Sequence, residues 1–172
     1  SNKVNVLVNP ADFFKKLITQ ELNQNGIPIL PITETYLVNL CVEFISTEHL
    51  YPKDESGNSI EEPFAIMMHK ALQAPTTERI KILKQLGDTS LYLSGFFSDS
   101  LNRKCNDIDY FITMGGTAYK SISSIVNERK IRDLYQELSG KFNQFVDIFD
   151  TIATQNDIKT DKNILRLYDK WI

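Results

Sequence analysis

Two carboxylates separated by one residue are the first groups in this sequence that could do chemistry. Asp107 and Asp109 form its Asp-x-Asp, and Gly95 precedes that motif by twelve residues. Carboxylate oxygens are the ligands that Mg²⁺ prefers, and two of them at one strand edge could orient a triphosphate for in-line attack. Gly95 would then be the glycine of a phosphate-binding turn, and Asp147 or Asp150 a third carboxylate.

This arrangement resembles the nucleotidyltransferase signature, a Gly-Ser or Gly-Gly turn followed by Asp-x-Asp on a strand. The resemblance implies a magnesium-dependent enzyme with Asp107 and Asp109 as metal ligands. The sequence departs from the signature at Phe96, where that family places a small residue that holds phosphate. We therefore keep this enzyme as the alternative function, and assign no catalytic residue, no metal ligand and no cofactor.

The helical spacing of apolar residues around the Asp-x-Asp favours a different structure. The apolar and small residues recur every three to four positions, which is typical of one face of a helix: Ile108, Phe111, Ile112, Gly115, Tyr119, Ile122 and Val126. The pattern predicts a helix over residues 107–127, capped by Asn106, with both carboxylates in its first turn, where the helix dipole favours negative charge.

A second resemblance covers residues 86–147. Its motifs are Gly-Asp at 87–88, Ser-Gly-Phe-Phe-Ser-Asp-Ser-Leu at 94–101, Asp-x-Asp-Tyr at 107–110, Met-Gly-Gly at 114–116 and Ala-Tyr at 118–119. Together they resemble a group of uncharacterised bacterial helical proteins. That resemblance implies an all-helical fold and no assigned activity.

The rest of the chain also shows helix signals. We expect helices from Asn9-Pro10 to Asn25-Gly26, from a cap at Thr33, from about Glu61 to Ala74, and from a cap at Thr76 or Thr77 to Gly87. Further helices are predicted over 88–104, capped by Asp88, over 130–153 and over 161–172. The sequence thus predicts one all-α domain over residues 1–172, an irregular bundle of six to eight helices with an exposed loop at 51–59. Its centre should be the crossing of helices 107–127 and 130–153.

A small-molecule site in such a bundle would lie between helices. Tyrosines that stand near glycines or carboxylates are the candidates to line it. The pocket candidates are Tyr92, Gly95, Asp107, Asp109, Tyr110, Gly115, Gly116 and Tyr119.

Other reactive side chains are weaker candidates. His49 and His69, the two histidines, lie on different predicted helices without partners at zinc-ligand spacing. Cys105 stands beside Arg103 and Lys104, which could lower its pKa. Both Cys105 and Cys41 are expected as free thiols of a reducing compartment.

The net charge and the hydropathy of the sequence limit the classes of partner that we expect. A net charge of −3 argues against a dedicated nucleic-acid binder, and no apolar run is long enough for a membrane span. The chain begins Ser1-Asn2 without an initiator Met, which leaves open a native leader before it. The predicted function is a non-enzymatic cytoplasmic module, regulatory or scaffolding, acting through a protein partner, a homo-oligomer contact or a small internal ligand site.

Overall fold

The fold is all-α, as predicted. A computed structural model describes residues 9–46, 61–99, 108–156 and 158. Within these residues it has seven helices and no strand. The helices are α1 (Pro10–Gln24), α2 (Pro31–Ser46), α3 (Glu61–Gln73), α4 (Thr76–Phe96), α5 (Ile108–Ile125), α6 (Arg129–Gly140) and α7 (Phe142–Gln155). The predicted loop at 51–59, the cap at Asn106 and the helix at 161–172 lie outside the described residues.

Helix α1 begins and ends at the predicted signals. Pro10 is in its first turn, and the side chain of Asn9 accepts a hydrogen bond from the Asp12 amide at 3.3 Å. Gly26, with φ of 62°, turns the chain out of the helix in the left-handed conformation that glycine tolerates. The buried face of α1 carries Phe14 and Ile18 into the core.

The connector between α1 and α2 is extended and is tied to α6. The Leu30 amide donates to the Glu137 carboxylate at 2.8 Å, and the Lys141 ammonium donates to the Pro28 carbonyl. Helix α2 then starts at Pro31, and the Leu30 carbonyl accepts from the amides of Thr33 and Glu34 in its first turn. The prediction that Thr33 caps this helix is wrong, because Pro31 already fits the first helical position and Thr33 lies buried inside the helix.

Helices α3 and α4 correct two further predictions. Neither Thr76 nor Thr77 caps α4, because the helix starts at Thr76 directly after Pro75 and has no side-chain cap. Gly87 does not end a helix and Asp88 does not begin one, since α4 runs through both without a break. Arg79, in its first turn, donates to the last carbonyls of α3, the closest being Ala71 at 2.9 Å.

Helix α5 confirms the predicted helix at 107–127 to within two residues. The predicted long helix at 130–153 is instead two helices, because the chain turns at Lys141, with φ of −110° and ψ of 19°. The two halves keep one apolar stripe because both face the same core, with Leu138 before the turn and Phe142 after it.

The helix at the centre of the bundle is α4. Every residue from Leu86 to Phe97 is buried, so the C-terminal half of this helix is covered on all sides. Its largest interfaces are with α5 and α7, whereas α6 packs mainly on α5. The predicted centre, where 107–127 crosses 130–153, is therefore a flank of α4. Any polar residue in the middle of α4 must find its hydrogen-bond partners inside the protein.

Candidate functional site

Asp88 is such a residue, a carboxylate in the middle of the central helix. Its exposed fraction is 5%. One oxygen accepts hydrogen bonds from the phenols of Tyr36 and Tyr119, the latter at 2.7 Å. The other oxygen accepts from the Lys84 ammonium at 2.6 Å. Three donors thus meet a single buried carboxylate, which compensates for its removal from water.

Three tyrosines from three helices surround this carboxylate. Tyr36 comes from α2, Tyr119 from α5 and Tyr135 from α6, and we call them the tyrosine cage. Their ring centroids are 5.8 to 6.3 Å apart. The Lys84 ammonium lies 5.1 Å from the centroid of the Tyr36 ring, within range of a cation–π interaction. The cluster therefore offers a positive charge both a carboxylate and an aromatic face.

Gly87 makes the position of Tyr119 possible. A Cβ built at residue 87 would lie 2.8 Å from Cζ of Tyr119 and closer to other atoms of that ring. No real Cβ keeps such contacts, so the absence of a side chain lets the phenol reach Asp88 on the next residue. The Gly-Asp pair thus accommodates the Tyr119 side chain within a continuous helix and does not mark a helix boundary.

Burial and charge fix the protonation states of the cluster. Burial raises the pKa of Tyr119 well above its usual value, and the Asp88 carboxylate raises it further. Burial likewise raises the pKa of Tyr36, as do the neighbouring Tyr119 and Asp88. Burial lowers the pKa of Lys84, but attraction to Asp88 outweighs it and the net pKa is raised. At neutral pH the phenols remain protonated and the lysine remains cationic.

The cluster opens to solvent at its lysine. The side chain of Lys84 is 44% exposed, whereas that of Asp88 is 6% exposed. Tyr36 is half-buried, while Tyr119 is fully buried. The ammonium therefore lies between solvent and the space bounded by Asp88 and the tyrosine cage, which we call the recess.

Of the pocket candidates read from the sequence, Tyr119 donates a hydrogen bond to Asp88. Gly115 lies against the ring of Phe142, whose centroid is 5.9 Å from that of Tyr119. Gly116 faces open space, and its carbonyl accepts from Ser139 at 2.9 Å. Gly115 therefore allows the Phe142 ring to pack closely on α5. Gly116 contacts α6 through its backbone carbonyl.

Tyr92 and Gly95 lie in the C-terminal half of α4, beyond Asp88. Tyr92 is buried and stacks on Phe96 with centroids 4.8 Å apart, and Gly95 lies against Phe149 inside the helix. Asp109 is exposed in the first turn of α5, and Tyr110 is half-buried beside it. Asp107 lies outside the described residues.

The remaining reactive side chains do not gather into a site among the described residues. No group of three histidine, cysteine or acidic residues there could hold a metal ion. His69 is exposed on α3, with a ring nitrogen 3.2 Å from the Gln73 amide. Cys41 is a buried free thiol, and burial raises its pKa. Asp147 is exposed, whereas Asp150 accepts a hydrogen bond from Ser98 at 2.8 Å. His49 and Cys105 lie outside the described part of the chain.

Sequence reasoning did not identify Asp88, Tyr36, Lys84 or Tyr135 as a site. A signal was present: Asp88 stands between Leu86 and Leu91, and Lys84 precedes it by one helical turn. An acidic residue between two leucines of a helix, with a lysine one turn before it, is a candidate for an ion pair. The tyrosines could not be added, since they come from helices far away in the sequence.

Comparisons with known proteins do not assign this site. No family model, no curated protein and no solved structure matches the chain. Within the described residues, no helix is long and apolar enough to cross a bilayer. The function is therefore argued from the side chains.

Proposed function

We propose that this chain is a non-enzymatic bacterial helical module, regulatory or scaffolding, that acts in the cytoplasm through a protein contact. The observation that carries this proposal is the connector between α1 and α2 together with the first two residues of α2, residues 27–32, which we call the proline corner. Its sequence is Ile-Pro-Ile-Leu-Pro-Ile. Four neighbouring apolar side chains of this corner are exposed: Pro28, Leu30, Pro31 and Ile32.

The proline corner is held in place rather than free. Ile27 and Ile29 pack against the core and fix its inner side. On the other side, the Leu30 amide is bonded to Glu137, and the Pro28 carbonyl to Lys141. Two prolines further restrict the backbone. A contiguous apolar surface that is already ordered loses little entropy on binding, which favours a protein contact.

The Asp88 cluster supports a binding module rather than an enzyme. Both carboxylate oxygens are occupied by donors from the protein itself, and the two phenols remain protonated at neutral pH. A general base needs a free oxygen and a pKa matched to its task. We therefore interpret the cluster as a binding or positioning element. The cytoplasmic location rests on the two cysteines, expected as free thiols.

Charge substitutions in the proline corner test the proposal. Leu30→Asp should abolish self-association, measured by sedimentation velocity, and a photoreactive amino acid at position 30 of the otherwise unchanged protein should cross-link to a partner. Leu72→Asp on α3 is the matched control, because Leu72 is also an exposed leucine, with an exposed fraction of 65%. Equal cross-linking from positions 30 and 72, or association that Leu30→Asp leaves unchanged, would overturn the proposal.

A ligand screen addresses the alternative, a magnesium-dependent nucleotidyltransferase-like enzyme that uses Asp107 and Asp109. Thermal stabilisation by a nucleoside triphosphate with Mg²⁺, lost in Asp107→Ala and in Asp109→Ala, would favour the enzyme. A ligand at a hundredfold excess over its dissociation constant adds about 2.7 kcal/mol of stability. No stabilisation, or stabilisation that both substitutions leave intact, would exclude those carboxylates as its metal ligands.

A further inference from the structure

Lys84 lies in the cluster in the way that a bound ligand would. Its ammonium is 2.6 Å from the buried carboxylate of Asp88 and 5.1 Å from the centroid of the Tyr36 ring. Its side chain is nearly half exposed, and the carboxylate beneath it is buried. The cation therefore stands at the mouth of the recess, in the position that a group entering from solvent would reach first.

The groups around the ammonium match the requirements of a cation-binding site. Aromatic faces attract an ammonium through their quadrupole, and a carboxylate adds a charge-assisted hydrogen bond. Tyr36 and Tyr119 hold the other oxygen of Asp88, so the oxygen facing Lys84 is fixed in direction. Glu43 of α2 also acts on Lys84 and adds negative potential on the outer side. The recess is thus organised for a positive charge by groups from three helices besides α4.

We propose that Asp88 and the tyrosine cage form a recognition site for a primary ammonium group, and that Lys84 is its resident occupant, which an incoming amine displaces. The ligand class is an aliphatic amine, present either as a small molecule or as a lysine side chain of a partner protein. This site shares no residue with the proline corner, and its test does not depend on the contact proposed there.

Lys84 acts in this site as a built-in competitor. Because the Lys84 ammonium is tethered, its effective concentration at Asp88 is on the order of millimolar. An external amine must be concentrated enough, or bind tightly enough, to compete with it. Removing the lysine should therefore expose the site to free amines. Removing Lys84 would also leave the Asp88 carboxylate buried without a cation. The unpaired carboxylate would then attract an entering ammonium more strongly.

Chemical rescue of Lys84→Ala tests the site. Propylammonium chloride should raise the melting temperature of this variant in a saturable way, by about 5 °C at saturation, relative to potassium chloride at equal ionic strength. If the variant does not fold alone, the readout is recovery of its helical circular dichroism with the amine. Tetramethylammonium has no N–H to donate to Asp88 and should rescue less.

Two variants separate recognition from general salt effects. Lys141→Ala removes another lysine one turn from a carboxylate, Glu137, with a nitrogen–oxygen distance of 3.1 Å, but this pair has no tyrosine cage. It should show no saturable rescue. Adding Asp88→Asn to Lys84→Ala should abolish the rescue, because the buried acceptor charge is lost. Absence of rescue in Lys84→Ala, or equal rescue in Lys141→Ala, would overturn the proposal.

The wild-type protein tests displacement, and a second probe distinguishes the ligand sources. Propylammonium should shift the ¹⁵Nζ signal of Lys84 as the side chain leaves the recess. Rescue in the variant with no such shift up to 100-fold the variant's dissociation constant would refute displacement. Nα-acetyl-lysine N-methylamide carries the same ammonium on a polypeptide backbone. Rescue by this probe indicates room for a partner's lysine, whereas rescue by propylammonium alone indicates a free amine.

Discussion

Replacing Gly87 by alanine should destabilise the protein, whereas the same replacement at Gly116 should stabilise it. Both glycines lie inside helices, so alanine improves helix propensity by about 1 kcal/mol at each. They differ in what a Cβ would meet: the Tyr119 ring at residue 87, and nothing within 4 Å at residue 116. The pair therefore separates the cost of close packing from backbone propensity.

The expected loss at Gly87 follows from two contributions. Overpacking a well-filled core costs about 1–3 kcal/mol. Moving the Tyr119 ring also weakens its hydrogen bond to Asp88, and a bond to a charged group contributes about 1.5–3 kcal/mol. After the propensity gain is subtracted, Gly87→Ala should lose about 1.5–5 kcal/mol. Gly116→Ala should gain about 0.5–1 kcal/mol.

Urea denaturation followed by circular dichroism measures both free energies of unfolding, with an unchanged m-value as the check on two-state behaviour. For a chain of this size each kcal/mol corresponds to roughly 2–4 °C in melting temperature. In a Tyr119→Phe background Gly87→Ala should cost less, because the hydrogen bond to Asp88 is already absent. A Gly87→Ala protein as stable as wild type would refute the packing described for Tyr119.

Three further predictions concern charge. Asp88→Asn should lose about 2–4 kcal/mol in urea denaturation, since it leaves the phenols and Lys84 without their charged acceptor; Asp109→Asn, at an exposed position, should change stability by less than about 0.5 kcal/mol. Burial opposes ionisation of Glu137, but the Leu30 amide and the Lys141 ammonium both donate to its carboxylate, and its net pKa is lowered. The contribution of Glu137 to the free energy of unfolding is therefore present above pH 4.5, the ordinary pKa value, and is lost as the pH falls through the lower folded pKa. Urea midpoints measured between pH 3 and 7 should fall on the acid side, and Glu137→Gln should reduce this fall. Because the pKa values of Tyr36 and Tyr119 are raised, their contribution to the free energy of unfolding is complete below pH 10, the ordinary value, and is lost as the pH rises through the folded pKa values. Absorbance at 295 nm should show these two phenols ionising only with unfolding. Ionisation before unfolding would contradict the burial of the tyrosine cage.

Local signals in the sequence predict most of the helices. The Asn-Pro start and the Asn-Gly end locate α1, and helical spacing locates α5. Such signals depend on neighbours within one or two turns, so they can be interpreted without knowledge of the tertiary structure. For the same reason, they predict α5 well although its glycines disfavour a helix.

The errors arise where tertiary packing outweighs a local signal. Gly87-Asp88 is a usual end-and-start pair, but the Tyr119 ring fills the space over Gly87, and its hydroxyl group satisfies Asp88. The turn at Lys141 is hidden because the apolar stripe continues across it. Asp88 and the tyrosine cage join residues 36, 88, 119 and 135, and no periodicity relates such distant positions.

The three glycines that receive aromatic rings also determine how the helices can slide along one another. Gly87 faces Tyr119, Gly95 faces Phe149 and Gly115 faces Phe142. One helical turn is 5.4 Å, and a slip of α5 by that amount would place Tyr119 against Leu83 or Leu91 instead of Gly87. A leucine there fills the space that the ring needs. The bundle therefore has a single register, which is set by where side chains are missing as much as by where they are present.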